Sequence, residues 1–464
     1  MGKTKTLVKN TAIIGLGTLS TKILTFLLLP LYTNILNPDD YGLIDVLMTM
    51  SSLIIPFITL EMNSGVFRFL IGFEDKENYS YKKIVSTGVA IETMGLIITL
   101  LISLVANLFF TIPHFMAIIV YIVSLSASKL ILDSTRGFSD IVAYSIANLI
   151  ITLFSLCLNI VFILVFKWGA VSILIATAIG NFLGSVFLFF KEKLYKYIEK
   201  CQINKDVGRK MLKYTLPLIL NTVSWWIVSA ADRIIILGCI GTTANGIYAA
   251  AHKIPSIYTT LFAVFCLAWT ESVARNESDK IFVKRTVKIS VNIMIYMLFG
   301  IISCSSLFFN ILIGDEYSGC YWHILILLIA IFFSSLSSLY GGIFSGKMDS
   351  KTIAYTTIIG AVINIIVNLG LINYIGLYAA SISTTISYIV ISLIRNKQVK
   401  KWYKIKLFSM KDIIFIPLGV LCAVGYYFHS NIINIITIII IMICFIIFNR
   451  DIVNIIFIKI KNRK

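Results

Sequence analysis

The fold is decided by the stretch IVAYSIANLIITLFSLCLNIVFILVFKWGAVSILIATAIGNFLGSVFLFF, residues 141–190. Lys167 is its one charged residue, and it stands in the short turn Lys167-Trp168-Gly169-Ala170. An apolar helix of about 20 residues crosses the hydrocarbon core of a bilayer, so each side of this turn is long enough to cross. The stretch therefore predicts two antiparallel transmembrane helices joined by a tight turn.

Similar apolar runs fill the rest of the chain. Its 464 residues are 58% hydrophobic and 13% charged, and the mean hydropathy is +0.92. A soluble globule cannot hide so much apolar surface from water. We therefore predict an all-α polytopic membrane protein with about 14 transmembrane helices. The predicted spans are 11–36, 42–69, 84–110, 112–136, 141–166, 169–190, 214–240, 246–272, 282–312, 321–345, 352–374, 376–394, 411–429 and 431–449.

The basic residues predict how the helices are oriented. The net charge is +18, but lysines and arginines concentrate in connections that alternate along the chain, as the positive-inside rule requires. With both termini in the cytoplasm, all of the 40 basic residues except Lys22, Lys167, Arg233 and Lys253 lie in cytoplasmic connections, in the terminal segments or in the cytoplasmic half of a predicted helix. Orientation in a membrane explains this charge better than nucleic-acid binding does. We expect a multi-pass protein of the bacterial cytoplasmic membrane.

The chain is predicted to be internally doubled. Leu36–Gly42 corresponds to Gly241–Gly246, and Ala143-Tyr144 corresponds to Ala354-Tyr355, with offsets of about 204 to 211 residues. The repeat unit is six helices, so both halves have the same orientation, which is a transporter architecture with a site between the halves. The predicted divisions are an N-terminal lobe (1–190), a basic linker (191–213), a C-terminal lobe (214–396), and a basic loop with helices 13 and 14 and a tail (397–464).

Motifs of soluble enzymes are missing from the sequence. It contains no P-loop, no HExxH and no GxSxG, and its cysteines form no CxxC pair. We therefore expect neither an enzyme nor a metal or cofactor site. Transport driven by ATP hydrolysis would need a nucleotide-binding motif, so the expected motive force is a gradient, the membrane potential or the substrate.

Ionisable residues within predicted helices are the candidate site. A charge at the bilayer centre costs about 2.5–3.5 kcal/mol on insertion scales, so such side chains should face water or a partner. The cations Lys22, Arg233 and Lys253 lie in both predicted lobes and could bind a phosphate group. In the alternative interpretation, Arg233 reaches the membrane surface and Asp232 pairs with Lys253. The candidate coupling or pairing acids are Asp45, Glu61, Glu92 and Asp232.

Several short motifs resemble those of bacterial polysaccharide-repeat-unit flippases. This family belongs to the superfamily that includes the multidrug and toxin extrusion (MATE) transporters. The motifs are Val8-Lys9-Asn10-Thr11, Leu28-Leu29-Pro30-Leu31-Tyr32-Thr33, Leu36-Asn37-Pro38-Asp39-Asp40-Tyr41-Gly42, Leu216-Pro217, Asp232-Arg233 and Gly246-Ile247-Tyr248. The sequence departs from the family pattern at Trp269, where a proline is expected.

The resemblance implies a fold, a substrate and a role for the cations. The fold would be two six-helix lobes forming a V, with alternating access to a central cavity and two extra C-terminal helices. The substrate would be an undecaprenyl-pyrophosphate-linked oligosaccharide moved from the inner to the outer leaflet, with a glycan polymerase and glycosyltransferases as possible partners. The family's cationic cavity residues would correspond to Lys22, Arg233 and Lys253.

Three other functions stay open at this point. The extra pair of helices also resembles the lipid II flippases. A cation-coupled multidrug exporter of the same fold would use the buried acids instead of the cations. A membrane-embedded polymerase or scaffold of a glycan pathway is a different class, and the short extracytoplasmic connections argue against it.

Overall fold

The computed structural model describes residues 26–70, 79–276, 279–347, 349–405 and 414–449. Within these ranges the ordered elements are helices. The α-helices are α1 (Leu29–Ile35), α2 (Pro38–Thr59), α3 (Met62–Leu70), α4 (Tyr79–Phe109), α5 (Phe115–Gly137), α6 (Ile141–Leu164), α7 (Val171–Lys191), α8 (Lys205–Cys239), α9 (Thr242–Asn276), α10 (Lys280–Leu312), α11 (Tyr321–Gly346), α12 (Ser350–Ile375), α13 (Tyr378–Tyr403), α14 (Phe415–Tyr427) and α15 (Asn431–Phe448). Short 3-10 helices cover Leu194–Lys196, Lys200–Gln202 and Asp315–Cys320.

Polar residues between the apolar runs act as helix caps. The side chain of Asn37 accepts a hydrogen bond from the backbone N–H of Asp40 at 2.8 Å, and Pro38 occupies the first position of α2. Asp140 caps α6 and Asp279 caps α10 in the same manner. A capping oxygen satisfies a backbone N–H that has no partner within the helix. The residues that interrupt the hydropathy pattern thus also determine where these helices begin.

The all-α polytopic fold is confirmed. Ten of the described helical segments are long and apolar enough to cross a membrane, and α14 and α15 are shorter apolar helices. The residues 11–25 of the first predicted span lie outside the described ranges. α9 carries polar residues such as His252 and Lys253 among its apolar ones.

The second predicted span is two helices rather than one. α2 ends at Thr59, and Leu60 and Glu61 both adopt left-handed backbone conformations, with φ of 51° and 52°. Neither residue is a glycine, which would be the usual occupant of that conformation. The break directs the Glu61 carboxylate towards α8, where it accepts a hydrogen bond from Thr222.

Two other spans are longer than predicted. α8 begins at Lys205, capped by Asn204, so that the predicted linker 191–213 is partly helical. α13 continues to Tyr403 and contains Arg395, which lies just beyond the predicted span 376–394. Arg395 is 1% exposed, and its guanidinium donates hydrogen bonds to hydroxyls of Ser337, Thr356 and Thr357 and to carbonyl oxygens.

The chain divides into two compact units. The first unit comprises Met1–Ala250 and Asn364–Ala380, and the second comprises Ala251–Ile363 and Ser381–Lys464. The first unit has an apolar cluster where α3, α4 and α5 pack, which includes Met62, Val66 and Leu130. In the second unit α14 and α15 pack on each other and on α10.

A close contact between α6 and α7 depends on two glycines. A Cβ atom at Gly180 would lie 2.1 Å from the Ser155 hydroxyl and 2.6 Å from the Ile151 carbonyl oxygen, and one at Gly184 would lie 2.3 Å from the Ile151 side chain. Small residues spaced by four allow membrane helices to approach closely. The sequence predicts this packing role from the Gly180-x-x-x-Gly184 spacing, and the structure confirms it.

Replacing Gly180 with valine is therefore expected to lower thermal stability. Overpacking of this kind costs about 1–3 kcal/mol, because α6 and α7 must separate. The measurement is the unfolding temperature of the purified protein in detergent. Gly370→Ala is the matched control, since no atom lies within 4 Å of a Cβ at Gly370. An unchanged unfolding temperature for Gly180→Val would show that the contact does not stabilise the fold.

Candidate functional site

The candidate site lies along the contact between α2 and α8, which we call the α2–α8 seam. Thr222, Trp226 and Arg233 of α8 each contact a residue of α2 or of the corner that follows it. Their spacing of four and then seven residues places them on one face of the helix. Eleven residues of α-helix rise about 16 Å, so polar groups cross much of a bilayer's apolar thickness along this seam.

Arg233 and Asp45 form an ion pair at one end of the seam. The Arg233 Nε atom lies 2.6 Å from Asp45 Oδ2, and the side chains are 13% and 16% exposed. Charge-assisted bonds of this type are short and strong. The guanidinium retains donors beyond Nε, and the pair is neither sealed from solvent nor freely exposed. The arrangement can hold a cation at membrane depth and still present it to an incoming anion.

Two further contacts continue the seam. The Trp226 Nε1 atom donates hydrogen bonds to the Thr49 carbonyl oxygen at 3.1 Å and to the Ser52 hydroxyl at 3.0 Å. Thr222 donates from its hydroxyl to Glu61 Oε1 at 2.9 Å. Neither Trp226 nor Thr222 is among the candidate site residues that the sequence predicts. The break after α2, which brings Glu61 to Thr222, has no glycine or proline at positions 60 and 61 that could have indicated it.

Asp232, the neighbour of Arg233, forms hydrogen bonds to two other helices. It is 2% exposed and accepts hydrogen bonds from the Tyr248 hydroxyl at 2.8 Å and from the Asn368 side-chain amide at 3.1 Å. Adjacent residues on a helix point about 100° apart, so Asp232 faces α9 and α12 while Arg233 faces α2. Asp232 thus links three helices of the first unit.

The first turns of α2 and α9 meet at two glycines. A Cβ atom on Gly42 would lie 2.0 Å from the Thr242 carbonyl oxygen, and one on Gly246 would lie 1.9 Å from the Pro38 carbonyl oxygen. The Asn245 side-chain amide donates to the Gly42 carbonyl oxygen at 2.9 Å, and the Thr242 hydroxyl donates to Asp39. The predicted internal repeat aligns Gly42 with Gly246. We call this arrangement the first-turn contact.

The remaining candidates are Lys22, Lys253 and Glu92. Lys22 lies outside the described residues. Lys253 lies on α9 and is half-buried, in the part of the helix that belongs to the second unit. Glu92 is 2% exposed on α4. Within the described ranges, no group of three or more His, Cys, Asp and Glu side chains is arranged to hold a metal ion.

Comparisons with solved structures identify the fold. The chain is similar to a multidrug resistance MATE family transporter of the MOP superfamily, solved in an inward-facing conformation. The TM-score is 0.69 and the sequence identity is 14%, and the match covers 84% of this chain and 99% of that one. It is also similar to the lipid II flippase MurJ in an inward closed conformation. Here the TM-score is 0.68 and the sequence identity is 16%, and the match covers 94% of this chain and 99% of that one. The predicted MATE-like fold is confirmed.

Sequence comparisons place the chain among its relatives. It is 21% identical over 408 residues to an uncharacterized membrane protein of Methanocaldococcus jannaschii. The aligned residues cover 84% of this chain and 96% of that protein. A model of the family described as polysaccharide biosynthesis protein matches residues 7–270, more than half of the chain. This is a multi-pass membrane protein that belongs to the polysaccharide biosynthesis protein family, as its motifs predicted.

Proposed function

We propose that this protein is a flippase that moves an undecaprenyl-pyrophosphate-linked oligosaccharide from the inner to the outer leaflet of a bacterial cytoplasmic membrane. The observation that carries the proposal is the partly exposed Arg233–Asp45 pair inside a membrane-spanning helix contact. Membership of the polysaccharide biosynthesis protein family supports a glycan cargo. A MATE-like fold supports transport rather than covalent chemistry.

Arg233 is proposed to exchange one anion for another. In the absence of cargo its guanidinium is neutralised by Asp45 at 2.6 Å. A pyrophosphate carries more charge than one carboxylate and matches the planar guanidinium in bidentate geometry. The cargo would therefore compete with Asp45 for Arg233, and Asp45 would regain the arginine when the cargo leaves. This exchange keeps the Arg233 guanidinium paired with an anion at both stages.

Lys22 and Lys253 are proposed to complete the anion site. The sequence places both within predicted helices, Lys22 in the first predicted lobe and Lys253 in the second. The proposed lobes are residues 1–190 and 214–396. The glycan and pyrophosphate would cross through the cavity between them while the polyprenyl chain stays in the lipid. A polymerase or glycosyltransferase would act before or after this step.

The test is translocation by the purified protein in liposomes. A fluorescent polyprenyl-pyrophosphate oligosaccharide is incorporated, and its arrival in the opposite leaflet is followed by loss of fluorescence to a membrane-impermeant quencher. We expect vesicles with the protein to translocate it faster than protein-free vesicles and faster than they translocate the same glycan on an uncharged polyprenol. Equal rates in all three samples would refute the proposal.

The same vesicles test the rival functions. Lipid II carries a pyrophosphate too, so its translocation at a higher rate than a polysaccharide repeat unit would make the chain a lipid II flippase. Uptake of a lipophilic cationic dye, without movement of either lipid, would identify a multidrug exporter. We expect the repeat-unit lipid to be moved fastest, because the family assignment favours a polysaccharide precursor.

A further inference from the structure

A buried acid in the first unit takes no part in the α2–α8 seam. Glu92 lies near the middle of α4, ten residues, or about 15 Å, along the helix from Lys82. Its side chain is 2% exposed, and neither carboxyl oxygen has a hydrogen-bond partner among the described residues. A buried carboxyl group without a protein hydrogen-bond partner costs the fold free energy of desolvation, so its packing does not explain why it is there.

The Glu92 carboxyl borders a cavity of about 150 Å³ between α4, α5, α7 and the 3-10 segment after α7. Glu92 is the one titratable side chain among its described lining residues. The lining is otherwise apolar except for Thr93 and Ser134, and the Ser134 hydroxyl donates to the Leu130 carbonyl oxygen of its own helix. The cavity is large enough for water molecules, but it does not supply the several oxygen ligands that a metal cation requires.

A cation on α5 acts on Glu92. Lys129, which is half-buried, is the cation whose field reaches the carboxyl, and no ion pair within 4 Å joins the two side chains. Asp133, one turn further along α5, is bonded to Asn63 and Arg136. An ionised carboxylate without a bonded partner is costly at membrane depth, and it is neutralised most simply by a proton.

We propose that Glu92 is a proton-binding site that couples the chain's transport to a proton gradient. The inference rests on the proposed function for its cargo, but it concerns a different site from the one that binds the cargo. Protons driven inward can power outward movement of the cargo only in exchange for it. Glu92 therefore takes up a proton from one side while the cavity is open to water there, and releases it to the other side during the return of the empty protein.

The first experiment detects the proton directly and needs no transport. Infrared difference spectra of the purified protein between acidic and alkaline pH are compared for the wild type and Glu92→Gln. We expect a protonated-carboxyl band in the wild type that titrates with pH and is missing from Glu92→Gln. A wild-type spectrum identical to that of Glu92→Gln would overturn the proposal.

The second experiment measures the coupling in liposomes with the membrane potential clamped at zero. A gradient of about one pH unit should change the distribution of cargo between leaflets by about tenfold per exchanged proton in the wild type. Glu92→Gln, which mimics the protonated acid, should translocate cargo but lose the response to the gradient. Glu92→Asp should restore part of the response, and Ser134→Ala, a change in the same cavity, should leave it intact.

The outcomes separate the two proposals. An equal response to the gradient in the wild type and Glu92→Gln overturns the coupling site while leaving the flippase in place. Absence of all cargo movement in the wild type refutes the flippase, and the infrared band then decides alone whether Glu92 binds a proton.

Discussion

Replacing Arg233 with glutamine is expected to reduce translocation of the lipid-linked glycan by about ten- to a hundredfold. Hydrogen bonds to charged groups contribute about 1.5–3 kcal/mol each, and this range corresponds to that loss of rate or affinity. The substitution also leaves Asp45 without the cation that lies 2.6 Å away. The measurement is the rate of translocation in liposomes that contain equal amounts of folded protein.

A charge exchange distinguishes binding from structural support. The double variant Asp45→Arg, Arg233→Asp keeps the ion pair of the α2–α8 seam but moves the cation from α8 to α2. We expect it to retain the wild-type unfolding temperature within a few degrees and to translocate poorly, because the guanidinium no longer projects from α8. Full translocation by the double variant would show that the pair serves only the packing of the two helices.

Replacing Gly246 with valine is the second large effect that we expect. The Cβ atom would lie 1.9 Å from the Pro38 carbonyl oxygen, which is a backbone atom that no side-chain rotation can move. The first-turn contact would open, and the hydrogen bond from Asn245 to Gly42 would be lost with it. Overpacked sites typically cost about 1–3 kcal/mol, and a backbone clash lies at the upper end of that range or above it.

The expected result is folded protein in the membrane with at least a several-fold loss of translocation. Gly246→Val could no longer adopt a conformation in which the first turns of α2 and α9 touch. It could still adopt conformations in which these turns are apart. Gly42→Val should have the same effect, since its Cβ atom meets the Thr242 carbonyl oxygen at 2.0 Å. Gly238→Ala is the control, because nothing lies within 4 Å of that Cβ position. Wild-type rates in both valine variants would mean that the contact has no part in transport.

Hydropathy and turn chemistry predicted most of the helices. The run on each side of Lys167 is long enough to cross a bilayer, and residues such as Asp140 and Asp279 mark helix starts because their side chains can cap backbone N–H groups. These are local effects, and local sequence is sufficient to predict them. The close approach of α6 and α7 at Gly180 followed from glycine spacing for the same reason.

The break at Leu60 and Glu61 could not be predicted from local sequence. Neither residue favours a left-handed conformation, and the contact that accompanies it is the hydrogen bond between Glu61 and Thr222, which are 161 positions apart. Arg395 presents the same difficulty, since counting it as a loop charge is reasonable until α11 and α12 are seen to supply hydroxyl and carbonyl acceptors. Long-range contacts of this kind are decided by tertiary packing.

The candidate site was predicted in its residue types but not in its pairing. Charges at membrane depth drew attention to Arg233, Asp45 and Asp232, because lipid does not accept them. The sequence considered a bond from Asp232 to Lys253, but it gave no sign of the bonds that Asp232 accepts from Tyr248 and Asn368. It also gave no sign of the ion pair between Arg233 and Asp45. Which neighbour each helix face meets depends on helix rotation, and the hydropathy of the spans does not determine that.

Phosphate recognition by Arg233 is measured by the affinity of the purified protein for a polyprenyl pyrophosphate compared with the same polyprenol without phosphate. If Arg233 exchanges Asp45 for the pyrophosphate, the wild type should bind the phosphorylated lipid at least about tenfold more tightly, which corresponds to about 1.4 kcal/mol. Arg233→Gln should bind the two lipids with nearly equal affinity. If the wild type binds the two lipids with equal affinity, the cation in the α2–α8 seam does not recognise the cargo's phosphate.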